Sequence, residues 1–372
     1  VVLLGVIASL SLVLNLVPVQ AQGELTVVHS SAQVMFPLSI SFDIGAESSV
    51  DITDIRLQYK VLRHSFADVT AEVCMQFKAA TTVEVSWDLD MIQTGGLPPG
   101  ASIQYWWTVT DASDDQIETS PVTLQFNDER FSWQSLTRGM VTVHWYQGEQ
   151  SFAEEVMLTV EDALDWLEAD TGAVLLEPVE IYLYANSQDL QGSMIYPQEW
   201  TGGVAFTRYG RIAIGINPTN LDWGKRALAH ELTHLVVHQM TLSPYGGLPV
   251  WLDEGLATRS EGGLSNYYLA ALNQAIANDS LISVQSISSP FSANSELAIL
   301  SYAESYTVVD YLITTYGKDR MFDLLGAFRE GASYNGALTE VYGFDTSGLD
   351  WRWREYLSEP AGTTTVSVLS AY

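Results

Sequence analysis

Five consecutive residues, His230-Glu231-Leu232-Thr233-His234, carry the densest chemistry in the sequence. Histidines four apart lie on one face of a helix about one turn apart, so both imidazoles can reach a single ion. Glu231 lies about 100° round from His230, beside a water held on that ion rather than on the ion itself. The segment 222–240 has helical spacing and is apolar on several faces, with Trp223, Leu228, Leu232, Leu235 and Val236. A helix apolar nearly all round is expected to be buried. Buried imidazoles and a carboxylate must then be satisfied, and a zinc ion with its water does this directly. Histidines held in a core by hydrogen bonds alone are the plainer alternative.

A catalytic zinc needs a third protein ligand and one open position. Turn signals follow the pentad at Ser243-Pro244, Gly246-Gly247 and Pro249, and Trp251-Leu252-Asp253-Glu254-Gly255-Leu256-Ala257 then reads as helix. Pro249 favours a helix start there. Helix, turn and returning helix would bring one carboxylate back to the histidines. Glu254 is the expected ligand, because Gly255 and Ala257 keep its surroundings small enough for close packing. Asp253 points about 100° away, towards a supporting position or solvent. His238, four beyond His234, is a rival ligand whose expected role is structural. Val237 and Met240 stand where a metzincin site requires Gly and His.

Two kinds of element would surround this site. Residues 24–128 alternate apolar and polar in Leu38–Phe42, Ile55–Tyr59, Val83–Trp87, Ile103–Val109 and Val122–Phe126. Turns such as Gly95-Gly96-Leu97-Pro98-Pro99-Gly100 separate them. The rhythm predicts roughly seven short strands in a β-sandwich resembling immunoglobulin-like or fibronectin-like modules. It holds no catalytic constellation, which suits a spacer or binding module. After a junction near 129–139, residues 140–358 change to mixed α and β. A strand is expected at 141–146, a helix over 152–169 ended by Gly172, and strands at 179–184 and around 203–216. From 222 onward helices dominate. The chain is therefore expected to be multidomain, an all-β sandwich followed by an α+β, mainly helical domain, with 359–372 a tail or the start of a further segment.

Residues 1–21 form an uncharged apolar run ending in Val19-Gln20-Ala21, which reads as a signal peptide truncated at its start. An uncleaved anchor is the alternative. The expectation is a secreted or cell-surface protein with no stable membrane span after cleavage. A net charge of −29 repels phosphate backbones and disfavours nucleic acid as a partner. Cys74 is the single cysteine, so an internal disulfide or thiolate cluster is excluded, and its apolar neighbours predict a buried strand thiol.

HELTH, then WLDEGLA, then Ser301-Tyr302-Ala303-Glu304-Ser305-Tyr306 together resemble the gluzincin metallopeptidases, especially the peptidase MA-like domains. The second block is similar to the WLNEGFA-type segment of alanyl aminopeptidase relatives. The resemblance spans about residues 140–358. It implies a zincin-type fold, Zn2+ held by His230, His234 and Glu254, Glu231 as general base, and a peptide or protein substrate. It also implies that Tyr302, or Tyr306 one turn later, stabilises the oxyanion of the tetrahedral intermediate. The aminopeptidase branch carries a GAMEN-like strand whose Glu grips a free amine. Thr201-Gly202-Gly203-Val204-Ala205-Phe206-Thr207, in the corresponding region, has no acidic residue. This departure favours an endopeptidase over an aminopeptidase. Two other classes stay open: an inactive zinc-binding scaffold, and a surface binding protein that uses the β-sandwich.

Overall fold

The computed structural model describes residues 24–65, 67–197, 202–219 and 221–358. The leader read in residues 1–21 and the tail from 359 lie outside the described residues. No helix among the described residues is long and apolar enough to cross a membrane.

Alternation turns one face of each N-terminal strand inward. The strands are β1 (Thr26–Met35), β2 (Ser39–Leu62), β3 (Ala71–Cys74), β4 (Ala80–Asp90), β5 (Ala101–Asp111), β6 (Gln116–Glu118) and β7 (Val122–Phe126), with a short helix α1 (Met91–Thr94) after β4. The runs 38–42 and 55–59, which read as separate strands, are the two ends of one 24-residue strand, β2. Its first half pairs with β1 and β4, and its second half with β3 and β5. The β2–β4 register breaks between Glu47 and Ile52. The seven strands thus form one continuous hydrogen-bonded sheet. Two-layer packing still arises, because β2 serves both layers: Phe42 of its first half meets Tyr105 edge-on at 5.0 Å. Ile40, Phe42, Ile44, Ile55, Leu57, Ile103 and Trp107 fill the space between. Cys74 is exposed, contrary to the sequence expectation, because β3 turns Val73 towards the core and its alternate partner outward.

The second sheet has the order β11-β12-β10-β9-β8. Its strands are β8 (Gln134–Arg138), β9 (Val141–Trp145), β10 (Val179–Tyr184), β11 (Gly203–Phe206) and β12 (Arg211–Gly215). β9, β10 and β12 run parallel, while β8 and β11 are antiparallel edges. β8 occupies the stretch that reads as a junction. Val143, Ile181, Leu183, Ile212 and Ile214 face a large core shared with the helices. Tyr182 and Tyr184 face the other way. There the Gly95–Gly100 loop of the β domain docks so closely that a Cβ at Gly100 would overlap Tyr182 Oη.

Helix α2 (Gln150–Thr171) ends at Gly172, which takes a left-handed φ of 77° and donates its N–H to Glu168. A short helix α3 (Ser187–Gln191) follows β10. α4 (Leu221–Met240) carries the histidine pentad, α5 (Val250–Ser260) the WLDEGLA segment, and α6 (Asn266–Ala277) and α7 (Ser295–Tyr316) come next. α8 (Lys318–Arg329), α9 (Tyr334–Tyr342) and α10 (Thr346–Ser358) close the domain. The chain therefore consists of an N-terminal β domain and a C-terminal α+β, mainly helical domain.

Candidate metal centre

The site is built on two helices that the core locks together. α4 buries Leu228, Leu232, Leu235 and Val236, while its other face carries His230, Glu231, His234 and His238. Trp223, which the apolar pattern placed with the buried residues, is 45% exposed and lies over Gly202. Pro249 is the N-cap of α5, and Trp251, Leu252 and Leu256 anchor that helix in the core. Gly255 lets α5 approach α7 so closely that a Cβ there would run into the Ser305 carbonyl. Arg259, two turns along α5, is fixed by Asp170 of α2 at 2.7 and 3.1 Å and by Asp310 of α7. These contacts set the orientation of Glu254.

Three side-chain atoms converge. His230 Nε2 and His234 Nε2 lie 3.2 Å apart, and Glu254 Oε2 lies 3.5 Å and 3.6 Å from them. A tetrahedral ion with bonds of about 2.0–2.1 Å separates its ligand atoms by ~3.3–3.4 Å, close to each edge of this triangle. Glu254 Oε2 is buried and has no hydrogen-bond partner among the described residues. An orphaned carboxylate oxygen facing two imidazole nitrogens fits a divalent cation.

Each imidazole is fixed from behind. His234 Nδ1 meets Asp253 Oδ1 at 2.9 Å, and His230 Nδ1 meets Glu261 Oε1 at 2.8 Å. Such carboxylates set the tautomer and aim Nε2 at the metal position. Asp253 also meets His238 Nε2 at 2.8 Å through Oδ2, so His238 braces the carboxylate that supports His234. A second grouping of possible ligands, His234, His238 and Asp253, coincides with this hydrogen-bonded chain. Burial opposes ionisation of Asp253, but His234 and His238 overcome it and hold its pKa well below the usual carboxylate range. Burial likewise opposes charge on His230, yet the nearby carboxylates of Glu254 and Glu261 prevail and push it up to about 10. The site demands positive charge.

Glu231 projects beside the triangle and packs against β11, where a Cβ on Gly203 would lie 3.1 Å from its Cγ and 3.2 Å from its Oε1. Tyr302, on α7, lines the same recess as Glu231, both pentad histidines and Glu254. Tyr268 stacks on its ring at 6.1 Å and Phe291 meets it edge-on at 5.1 Å. Burial, then Glu254, pushes the Tyr302 hydroxyl pKa up, so it stays a donor. Tyr306 is only 1% exposed and packs with Leu264, Leu272 and Ala303, away from the recess. Glu261, Tyr268 and Phe291 escaped the sequence reading. The signal for Glu261 was its place two turns beyond Glu254; the two aromatics left none.

The model of the Peptidase MA superfamily matches residues 159–359. A search of curated proteins gives no match. Solved structures similar to this chain include an M1 zinc metallopeptidase from Deinococcus radiodurans. It is 12% identical, with 95% of this chain and 98% of that chain covered and a TM-score of 0.35. OgpA from Akkermansia muciniphila is 10% identical over 29% of this chain, with a TM-score of 0.22, and the match spans only 28% of the OgpA chain. A carbohydrate-binding module family 56 β-1,3-glucan binding domain is 24% identical over 27% of this chain and 98% of that one, with a TM-score of 0.17. Likenesses this distant bear on neither activity nor substrate. The family model, which spans more than half of the chain and takes in both helices of the site, carries the conclusion: this chain belongs to the peptidase MA superfamily.

Proposed function

We propose that the chain is a secreted or cell-surface zinc peptidase that hydrolyses internal peptide bonds. His230, His234 and Glu254 would hold the metal, Glu231 would act as general base, and Tyr302 would stabilise the oxyanion. The triangle of Nε2, Nε2 and orphaned Oε2 carries this reading.

Bound zinc supplies a Lewis acid for the scissile carbonyl and lowers the pKa of water. Glu231 takes the proton of the attacking water on its carboxylate and returns it to the leaving amine. Tyr302 Oη donates a hydrogen bond to the carbonyl oxygen as negative charge develops there, an interaction strongest in the transition state. Asp253 and Glu261 keep the imidazoles aimed by accepting hydrogen bonds from their Nδ1–H groups. The free edge of β11 borders the recess and suits an extended peptide paired strand to strand. The acidic side chains lining the recess are Glu231, Asp253 and Glu254, and each already has a role. None among the described residues is spare to grip a free amine, which favours endopeptidase action.

The test is metal content of the purified chain together with hydrolysis of a quenched peptide library, with and without chelator. One zinc per chain and chelator-sensitive internal cuts are expected. Zinc without cleavage would favour the scaffold reading; a chain without zinc would overturn the proposal.

A further inference from the structure

A cavity of about 480 Å³ adjoins the metal centre and has no part in the chemistry above. Thr207 and His238 line both recesses. Both domains build its walls. The turn Thr207–Tyr209 continues directly from β11, and the Arg208 carbonyl accepts a 2.7 Å hydrogen bond from the backbone N–H of His64, in the loop after β2. The His64 ring lies over Gly210, where a Cβ would come 3.3 Å from its Nε2. The β domain thereby closes one side of a pocket beside the metal.

The pocket lining carries one arginine and one glutamate, Arg208 and Glu177, in a chain with 16 basic and 45 acidic residues. Arg208 lines the cavity, is exposed, and has no ion-pair partner among the described residues. Glu177 is the one acidic side chain on the described lining, and it is exposed. Gln239 is spent on the backbone of Leu176 and Glu177. Leu242 and Leu248 add apolar wall. Such a pocket suits a side chain with an apolar stem and a terminal carboxylate, and a lysine or arginine would meet Arg208 head on. A guanidinium without a partner is a ready carboxylate fork.

We propose that this cavity is a substrate subsite for an acidic side chain, with Arg208 recognising its carboxylate and His64, lent by the β domain, as second donor. This rests on the reading of the chain as a peptidase. It predicts an acidic residue at one fixed position relative to the cleaved bond.

The test separates binding from cutting. Acetylated, amidated octapeptides of alanine and leucine, with one Glu, Gln or Lys walked along them, are titrated into the zinc-loaded full chain carrying Glu231→Gln. At one position the Glu peptide should bind about ten-fold tighter than its Gln twin. The ratio should fall to about one in Arg208→Gln and invert towards Lys in Arg208→Glu, both exposed substitutions. Equal binding of the Glu and Gln peptides at every position would overturn the subsite, as would a preference that survives Arg208→Gln combined with His64→Ala. Cleavage of the same peptides by the unsubstituted chain is scored separately. Acid-selective binding without any cleavage would sink the peptidase reading and leave the pocket standing; cleavage without acid selectivity would do the reverse.

Discussion

The centre of the β domain, from Ile40 to Trp107, is apolar and shut off from water, whereas the helical domain buries Glu304 and Asp310, the latter paired with the partly buried Arg259. Sequestered charge costs stability unless it is paired. The helical domain tolerates it where charge fixes a helix that carries a proposed ligand: Arg259 ties α5 to α2 and α7, and Asp253 and Glu261 tie the imidazoles. In the strands of the β domain the buried carboxylate of Asp111 accepts hydrogen bonds from Ser48 and from the backbone N–H groups of Ser113 and Asp115, so it serves a local turn. Stability and chemistry are thus drawn from different kinds of contact in the two halves, and substitutions should separate them.

The largest separation is expected from Glu231→Gln, which should keep zinc and melting temperature while lowering kcat by about 10²–10⁴-fold. Metal analysis and kinetics on one preparation check it, and substantial residual turnover would remove Glu231 as the base. Trp107→Ala is the mirror experiment. It should cost about 3–5 kcal/mol of β-domain stability in urea unfolding and leave kcat on short peptides little changed. A comparable fall in kcat would mean that the two halves are coupled more tightly than their cores suggest.

Tyr302→Phe should lower kcat by about 10²–10³-fold at near-constant KM, while Tyr306→Phe should affect packing alone. The reverse pattern would exchange their roles. Glu261→Gln should weaken zinc binding by about ten-fold, read by competition with a chromophoric chelator. Unchanged affinity would make Glu261 a bystander.

The smallest effect concerns pH. Burial pushes the Glu304 carboxyl up to about 8, with the Ile282 N–H and Arg354 pulling it partly back. An unfolded Glu titrates near about 4.3. Between those values the native state keeps a proton that the unfolded chain has released, so this group's contribution falls as pH rises through the window and is flat above it. Glu304→Gln should flatten that part of a stability-against-pH curve. An unaltered slope would place the titration elsewhere.

What was legible in the sequence follows from what one helix or strand can encode. HELTH and WLDEGLA each fit within a few turns, so spacing alone suggested which side chains could share an ion. The choice between Tyr302 and Tyr306 needed the packing of α6 on α7, since the two lie about one turn apart on a helix. Glu261 needed the crossing of α5 over α4. β8 escaped because its residues Gln134, Ser135, Thr137 and Arg138 are polar, leaving Leu136 as the sole apolar position. The unity of β2 was hidden by the polar stretch Glu47-Ser48-Ser49, which breaks the apolar alternation and is strand.

That long strand also imposes an order in time. Its first half, and Ile52, can zip against β1 and β4 once Asp90 has left the ribosome, but Asp54–Leu62 must wait for β5 to arrive. Until Asp111 emerges, only β3 offers that half a partner, along Arg56–Tyr59. The nascent domain therefore passes through a stage in which one layer is closed and the other presents a row of unmatched backbone groups. Slow synthesis between Asp90 and Asp111 would prolong that exposure, and fast passage through this window shortens it.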